Sequence, residues 1–129
     1  LVKDIMIKGS KLPVINLNKT IESAIRVIND KKLGIVVVTK NSFVKGFLTD
    51  GDCRRAIKSI KKDDKIEKFM TLKPLFVSEN TTASKALAIM NERKITSLLV
   101  KADKLEKNKS KIKLKGIIHI HSLLKHGLR

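Results

Sequence analysis

Residues 18–32 read NKTIESAIRVINDKK, and residues 80–94 read NTTASKALAIMNERK. Asn18, Thr20, Ala24, Asn29 and Lys32 return as Asn80, Thr82, Ala86, Asn91 and Lys94, each 62 positions later. A chain that repeats itself in this way is built from two copies of one supersecondary unit. Apolar residues fall at Ile21, Ala24, Ile25 and Ile28, and again at Ala83, Ala86, Leu87 and Met90. Steps of three and four place them on one stripe of a helix. Thr20 and Thr82 stand where N-cap side chains belong.

Each helix leads into an apolar run, Ile35-Val36-Val37-Val38 in the first copy and Ser97-Leu98-Leu99-Val100 in the second. Runs without polar alternation suit strands covered on both faces. A turn follows: Lys40-Asn41-Ser42 in the first copy, and a polar tract at 103–110 in the second, eight residues longer on this alignment. Next come second strands at 43–48 and 112–118, with Gly46 matching Gly116. A short helix closes each copy. Cys53, Ala56, Ile57 and Ile60 keep helical spacing in the first, and Leu123 and Leu124 begin the equivalent turn before Gly127. Extended pieces at 13–17 and 74–78 precede the repeated helices. The order is therefore strand, helix, strand, strand, helix, twice. Neither half, at about 60 residues, buries much alone. The expected fold is mixed α/β (α+β): two β-α-β-β-α repeats, 1–60 and 66–129, packed sheet to sheet with pseudo-two-fold symmetry. Residues 61–65 (KKDDK) read as the linker.

Composition narrows the function classes. The core must be aliphatic, because the chain has four Phe and no Trp or Tyr. Its one cysteine, Cys53, excludes an internal disulfide and suits a reducing, cytoplasmic setting. No apolar run approaches the roughly 20 residues that span a bilayer, and no signal-peptide pattern opens the chain. A chain that starts at Leu1 rather than Met is expected to be a piece of a longer protein. The net charge of +17 raises nucleic-acid binding. The excess is Lys (24 against 5 Arg), scattered rather than striped, and the Phe residues do not interleave with it. A solvated basic surface is the better reading.

The duplicated unit, with GFLTDGD (46–52) closing its first copy, resembles a tandem pair of CBS domains over essentially the whole chain. Four stretches narrow the likeness: Asp4-Ile5-Met6, residues 49–55 (TDGDCRR), residues 90–98 (MNERKITSL) and residues 116–121 (GIIHIH). Together they resemble the C-terminal half of arabinose-5-phosphate isomerases. The resemblance implies a regulatory, non-catalytic module whose parent carries an N-terminal sugar-isomerase (SIS) domain. It also implies a homodimer through the CBS helices and a tetrameric parent. That parent would interconvert ribulose 5-phosphate and arabinose 5-phosphate on the route to Kdo and lipopolysaccharide. No cofactor is required; the expected effector is CMP-Kdo, CMP or an adenine nucleotide.

Ligand-binding CBS domains carry Gly, an apolar residue, any residue, Thr or Ser, two further residues and Asp. Gly46, Phe47, Leu48, Thr49 and Asp52 match that pattern. A carboxylate can accept from both hydroxyls of a ribose diol, and a threonine hydroxyl adds a third bond. Arg54 and Arg55 follow where a phosphate would lie, Gly51 allows close backbone approach, and Gly34 and Ile35 offer an apolar wall to a base. Asp52 equally reads as a plain helix N-cap, a role compatible with the first. Asp50 with Asp52 makes no catalytic acid pair, since no nucleophile accompanies them. EF-hand ligands are absent, and Cys53 reads as core. In the second copy His119 and Ser122 replace Thr49 and Asp52. An equivalent diol site is not expected there. His119 with His121 would make half a metal site, without a third ligand at a recognised spacing; His119 reads instead either as a cleft residue able to contact a ligand phosphate or carboxylate or as an ordinary polar strand end. The competing class is a ligand-free dimerisation module of the same enzyme.

Overall fold

Thr20 sits in extended backbone and its hydroxyl accepts the Ser23 N–H at 3.3 Å. Helix α1 (Ile21–Lys31) therefore starts directly after the cap that the repeat marks. The computed structural model describes residues 1–59, 61 and 63–127. The chain divides into two units, Pro13–Pro74 and a second that joins Leu1–Leu12 to Leu75–Arg129. Each has a core of its own.

In the first unit, β1 (Val14–Asn16) runs parallel to β2 (Ile35–Lys40), and β3 (Phe43–Thr49) lies antiparallel on the other side of β2. A parallel pair needs a crossover, which α1 (Ile21–Lys31) supplies. Its stripe of Ile21, Ala24 and Ile28 is buried with Ile15, Val36, Val38, Leu48 and Ile66. Ile35 and Val37, on the other face of β2, are buried too, as the unbroken apolar run predicts. Asn41 and Ser42 both have positive φ, 53° and 70°. A two-residue hairpin needs that geometry to match the twist of its strands.

The short helix α2 (Asp50–Ala56) ends sooner than its apolar spacing predicts. No residue of α2 is fully buried, and Cys53 only half-buries against the core. Ile57 is 67% exposed, so nothing apolar holds another turn. Ile60, the last member of that spacing, lies outside the described residues.

The second unit repeats this order: β4 (Phe76–Ser78), α3 (Ala83–Arg93), β5 (Ser97–Lys101), β6 (Gly116–His119) and α4 (Ile120–Lys125). The sheet again has one parallel and one antiparallel pairing. Thr82 caps α3 by accepting the Lys85 N–H at 3.1 Å. Strand β6 is shorter than the expected 112–118. Its partner β5 ends at Lys101, and the register starts with Val100 opposite Gly116.

Each spatial unit takes in a segment of the other sequence repeat: residues 1–12 join 75–129, and the unit 13–74 includes 66–74. Val2 is fully buried in the core of the unit that holds α3, while Ile66 is fully buried in the core that holds α1. Each belongs to an arm that precedes one repeat in sequence and completes the unit of the other. The arms dock alike. Ile7 exchanges both backbone hydrogen bonds with Ile117 at 2.8 and 2.9 Å, and Thr71 does the same with Phe47 at 2.8 and 3.0 Å. Of the expected linker, Lys62 lies outside the described residues. Asp64 is no free spacer: its carbonyl accepts the Ile21 N–H at 2.9 Å.

The matched glycines explain the docking. A Cβ on Gly46 would lie 2.6 Å from the Thr71 carbonyl oxygen, and one on Gly116 would lie 2.6 Å from Met6 Sδ and 2.8 Å from the Ile7 carbonyl oxygen. Gly46→Ala and Gly116→Ala should therefore each destabilise the protein by about 1 to 3 kcal/mol, the usual cost of overpacking. Urea unfolding checks this. Gly51→Ala is the control, because its Cβ would meet the movable end of Arg55 at 3.3 Å and the Thr49 hydroxyl at an ordinary contact distance of 3.6 Å; it should be neutral or stabilising.

Candidate functional site at the start of α2

Thr49 is at once the last residue of β3 and the N-cap of α2. Its hydroxyl accepts the Asp52 N–H at 3.1 Å, and Asp52 Oδ2 accepts the Thr49 N–H at 3.0 Å. This is a reciprocal capping box. The reading of Asp52 as the N-cap is thereby corrected: Asp52 is the third residue of the helix, reaching back to the cap. Arg55 Nη2 donates to Asp52 Oδ1 at 2.6 Å, and the Thr71 hydroxyl donates to Oδ2 at 3.4 Å. A carboxylate has about four acceptor positions, and three are engaged here. The Asp52 side chain is 17% exposed while that of Arg55 is 74% exposed. So exposed an arginine contributes little stability through the pair and is free to swing away.

Gly34 and Ile35 join the same end of the sheet. The Asp50 N–H donates to the Gly34 carbonyl at 3.0 Å, and Ile35 lies directly opposite Thr49 in the β2–β3 register. Gly34 has φ +72°, a conformation that favours glycine. Gly51 lies beneath the Arg55 guanidinium, and Arg54 is exposed on the same short helix. Six of the expected residues, Gly34, Ile35, Thr49, Gly51, Asp52 and Arg55, thus come together. Thr71 is the member that sequence reading missed. Its signal was the match of residues 66–71 (IEKFMT) to residues 2–7 (VKDIMI), a second repeat outside the helix alignment.

Burial first, then the Asp50 and Asp52 carboxylates, push the Cys53 thiol above its ordinary pKa. It stays protonated near neutrality and is no nucleophile.

His119 occupies the place of Thr49 in the other unit. It ends β6, lies opposite Ser97, and is followed by Ile120, whose N–H donates to the Thr96 carbonyl at 2.8 Å. Its ring Nδ1 accepts the His121 N–H at 3.1 Å and so caps α4. The two rings meet edge to face, with centroids 4.7 Å apart. His121 belongs to α4, so the two rings do not lie on one strand face. His119 is 8% exposed. Burial first, then His121, hold its pKa below the ordinary value. Ser97 Oγ is buried and, among the described residues, has no hydrogen-bond partner. Elsewhere in the first unit, Asn16, Leu17, Asn18, Lys40, Asn41 and Glu67 line a polar recess of about 360 Å³ at the far end of β2.

Two repeated units, each with a parallel and an antiparallel strand pairing and a capped helix at the end of its last strand, define a CBS pair. The CBS domain model matches residues 2–59 and 66–129, and the chain belongs to that family. Among curated relatives it is 34% identical to the arabinose 5-phosphate isomerase KdsD of Francisella tularensis over 130 residues, 99% of this chain and 38% of that protein. KdsD of Yersinia pestis is also 34% identical, across 98% of this chain and 37% of its own length. The chain thus spans under two fifths of these relatives. The structure of CBSX2 in complex with AMP is similar at a TM-score of 0.77 and 21% identity, covering 98% of this chain and 94% of that one. The CBS domain pair of protein MJ0100, in complex with 5-methylthioadenosine and S-adenosyl-L-methionine, gives 0.80 and 20% over the same shares.

Thr49→Ala removes one half of the capping box and should cost about 1 kcal/mol, measured by urea unfolding. Amide exchange should locate the loss in α2. Cys53 in the folded protein at pH 8 should react with a disulfide reagent more slowly than free cysteine does, and unfolding in urea should abolish the difference.

Proposed function

We propose that this CBS pair is the ligand-sensing regulatory module of an arabinose-5-phosphate isomerase, and that it binds a nucleotide or nucleotide-sugar. The isomerase part rests on the likeness to KdsD along the whole chain. The single observation that carries the ligand reading is the Asp52 carboxylate. It is held rigidly by the capping box, keeps one acceptor position, and gains a second when the exposed Arg55 moves. The hydroxyls of a ribose diol then both donate to Asp52. The Thr49 hydroxyl, which accepts from the Asp52 N–H, still has its own proton to donate. Arg55, released from Asp52, pairs with a phosphate, with Arg54 as a second cation. Gly51 lets the backbone pass close to the ligand, and Gly34 and Ile35 wall the base.

CMP-Kdo suits this arrangement, because it carries a ribose diol, a phosphate and a sugar carboxylate; CMP and adenine nucleotides share the first two. As the activated product of the Kdo route to lipopolysaccharide it would act as a feedback effector. In this reading the module is joined to a SIS catalytic domain and dimerises through its helices within a tetrameric cytoplasmic enzyme. His119, with its donor at Nε2, serves the second unit by meeting an anionic group rather than a diol. Regulation requires that the ligand favour one of two arrangements of the attached domains.

Calorimetry with CMP-Kdo, CMP, AMP and ATP tests the reading. At least one should bind, and Asp52→Asn should weaken it tenfold or more, about 1.4 kcal/mol. Arg55→Ala should weaken the nucleotides but not the bare nucleoside. If none binds, or if Asp52→Asn binds as tightly as the parent sequence, the assignment fails.

A further inference from the structure

The two units place different chemistry at one position. Thr49 caps α2 through a hydroxyl, which does not titrate. His119 caps α4 through ring Nδ1, which does. Because Nδ1 accepts a backbone N–H, it carries no proton, so the capping imidazole is neutral with its hydrogen on Nε2. We propose that His119 is a pH-released helix cap: protonation of its ring removes the bond that starts α4 and opens that end of the unit, while the threonine-capped unit is left intact.

The surroundings give the imidazolium nowhere to stay. On α4 the neighbouring titratable group is His121, whose ring is 4.7 Å away and brings a like charge when protonated. On β5 the residue opposite is Ser97, an uncharged hydroxyl without a partner among the described residues. On α3 the ionisable side chains are Lys85, Glu92 and Arg93, all exposed. On the N-terminal arm Lys3 and Asp4 are both exposed. Beyond β4, Glu79 accepts the Asp103 N–H at 3.3 Å. Among the described residues no carboxylate acts on His119; burial and His121 both oppose its charge. Once protonated, Nδ1 would be a donor facing the donor N–H of His121, so the ring must turn out to water and the cap is lost.

The direction of the pH dependence follows. The folded state holds the His119 pKa below its ordinary value. As pH falls below about 6.5 the unfolded or opened chain takes up the proton first. The stabilising effect of the cap is complete above that value. It declines on acidification until the lowered folded-state pKa is reached.

Imidazole nitrogen NMR and amide exchange on the full 129-residue chain, from pH 8 to pH 5, test the proposal. At pH 8 His119 should carry its proton on Nε2. On acidification the His121 amide protection factor should fall at least tenfold while α2 amides keep theirs. His119→Thr, which copies the sister cap, and His119→Asn should both remove that difference. A proton on Nδ1 at pH 8, or loss of α4 protection at the same pH in wild type and His119→Thr, would overturn it. So would abolition of the effect by His121→Asn alone with His119 still titrating.

Discussion

Each unit depends on an arm from elsewhere in the chain. A three-stranded sheet with two helices leaves part of its core open. Val2 fills that part in one unit and Ile66 in the other, both fully buried. The arms are held by two-way backbone hydrogen bonding and by glycines that leave room for a methionine and a carbonyl. The position of Gly46 also fixes the start of the site. The strand that receives the arm runs on three residues to Thr49, and the arm itself delivers Thr71 to the Asp52 carboxylate. Core closure and site assembly are thus one event in this unit.

In the proposed function one side chain, Asp52, serves stability and recognition together. Asp52 would be an ordinary capping residue if its bonds ended with Thr49. Arg55 and Thr71 add two donors and orient both oxygens. A carboxylate so fixed presents its remaining acceptor position at a defined angle, which is what a diol requires. The two units have diverged here while keeping the same backbone: a hydroxyl cap with a carboxylate behind it in one, an imidazole cap with Ser122 behind it in the other.

The repeated helices were legible because amphipathic spacing and capping are local properties. Ile21, Ala24 and Ile28, and Ala86, Leu87 and Met90, are buried as the periodicity requires. Thr20 and Thr82 cap as their type and position require. The end of α2 was misread because Ile57 has the right spacing but no core to face. The roles within TDGD were half legible. The residue types were right, but the assignment of cap and third helical residue needed backbone geometry that spacing does not specify.

By itself the sequence determined the duplication, the order of elements, the aliphatic stripes and the clustering of Thr49, Gly51, Asp52 and Arg55 along a few consecutive residues. These depend on neighbours within a turn or two. Only the tertiary structure decided which core each arm completes, that Thr71 reaches Asp52 from 19 positions away, and that His119 is buried with Nδ1 committed to a backbone N–H. The Nδ1 bond is local and needed the backbone turn at the start of α4 to form, whereas the arm contacts, the Thr71 bond and the burial of His119 arise between segments distant in sequence. There, burial and clearance at a glycine, rather than local propensity, select the arrangement.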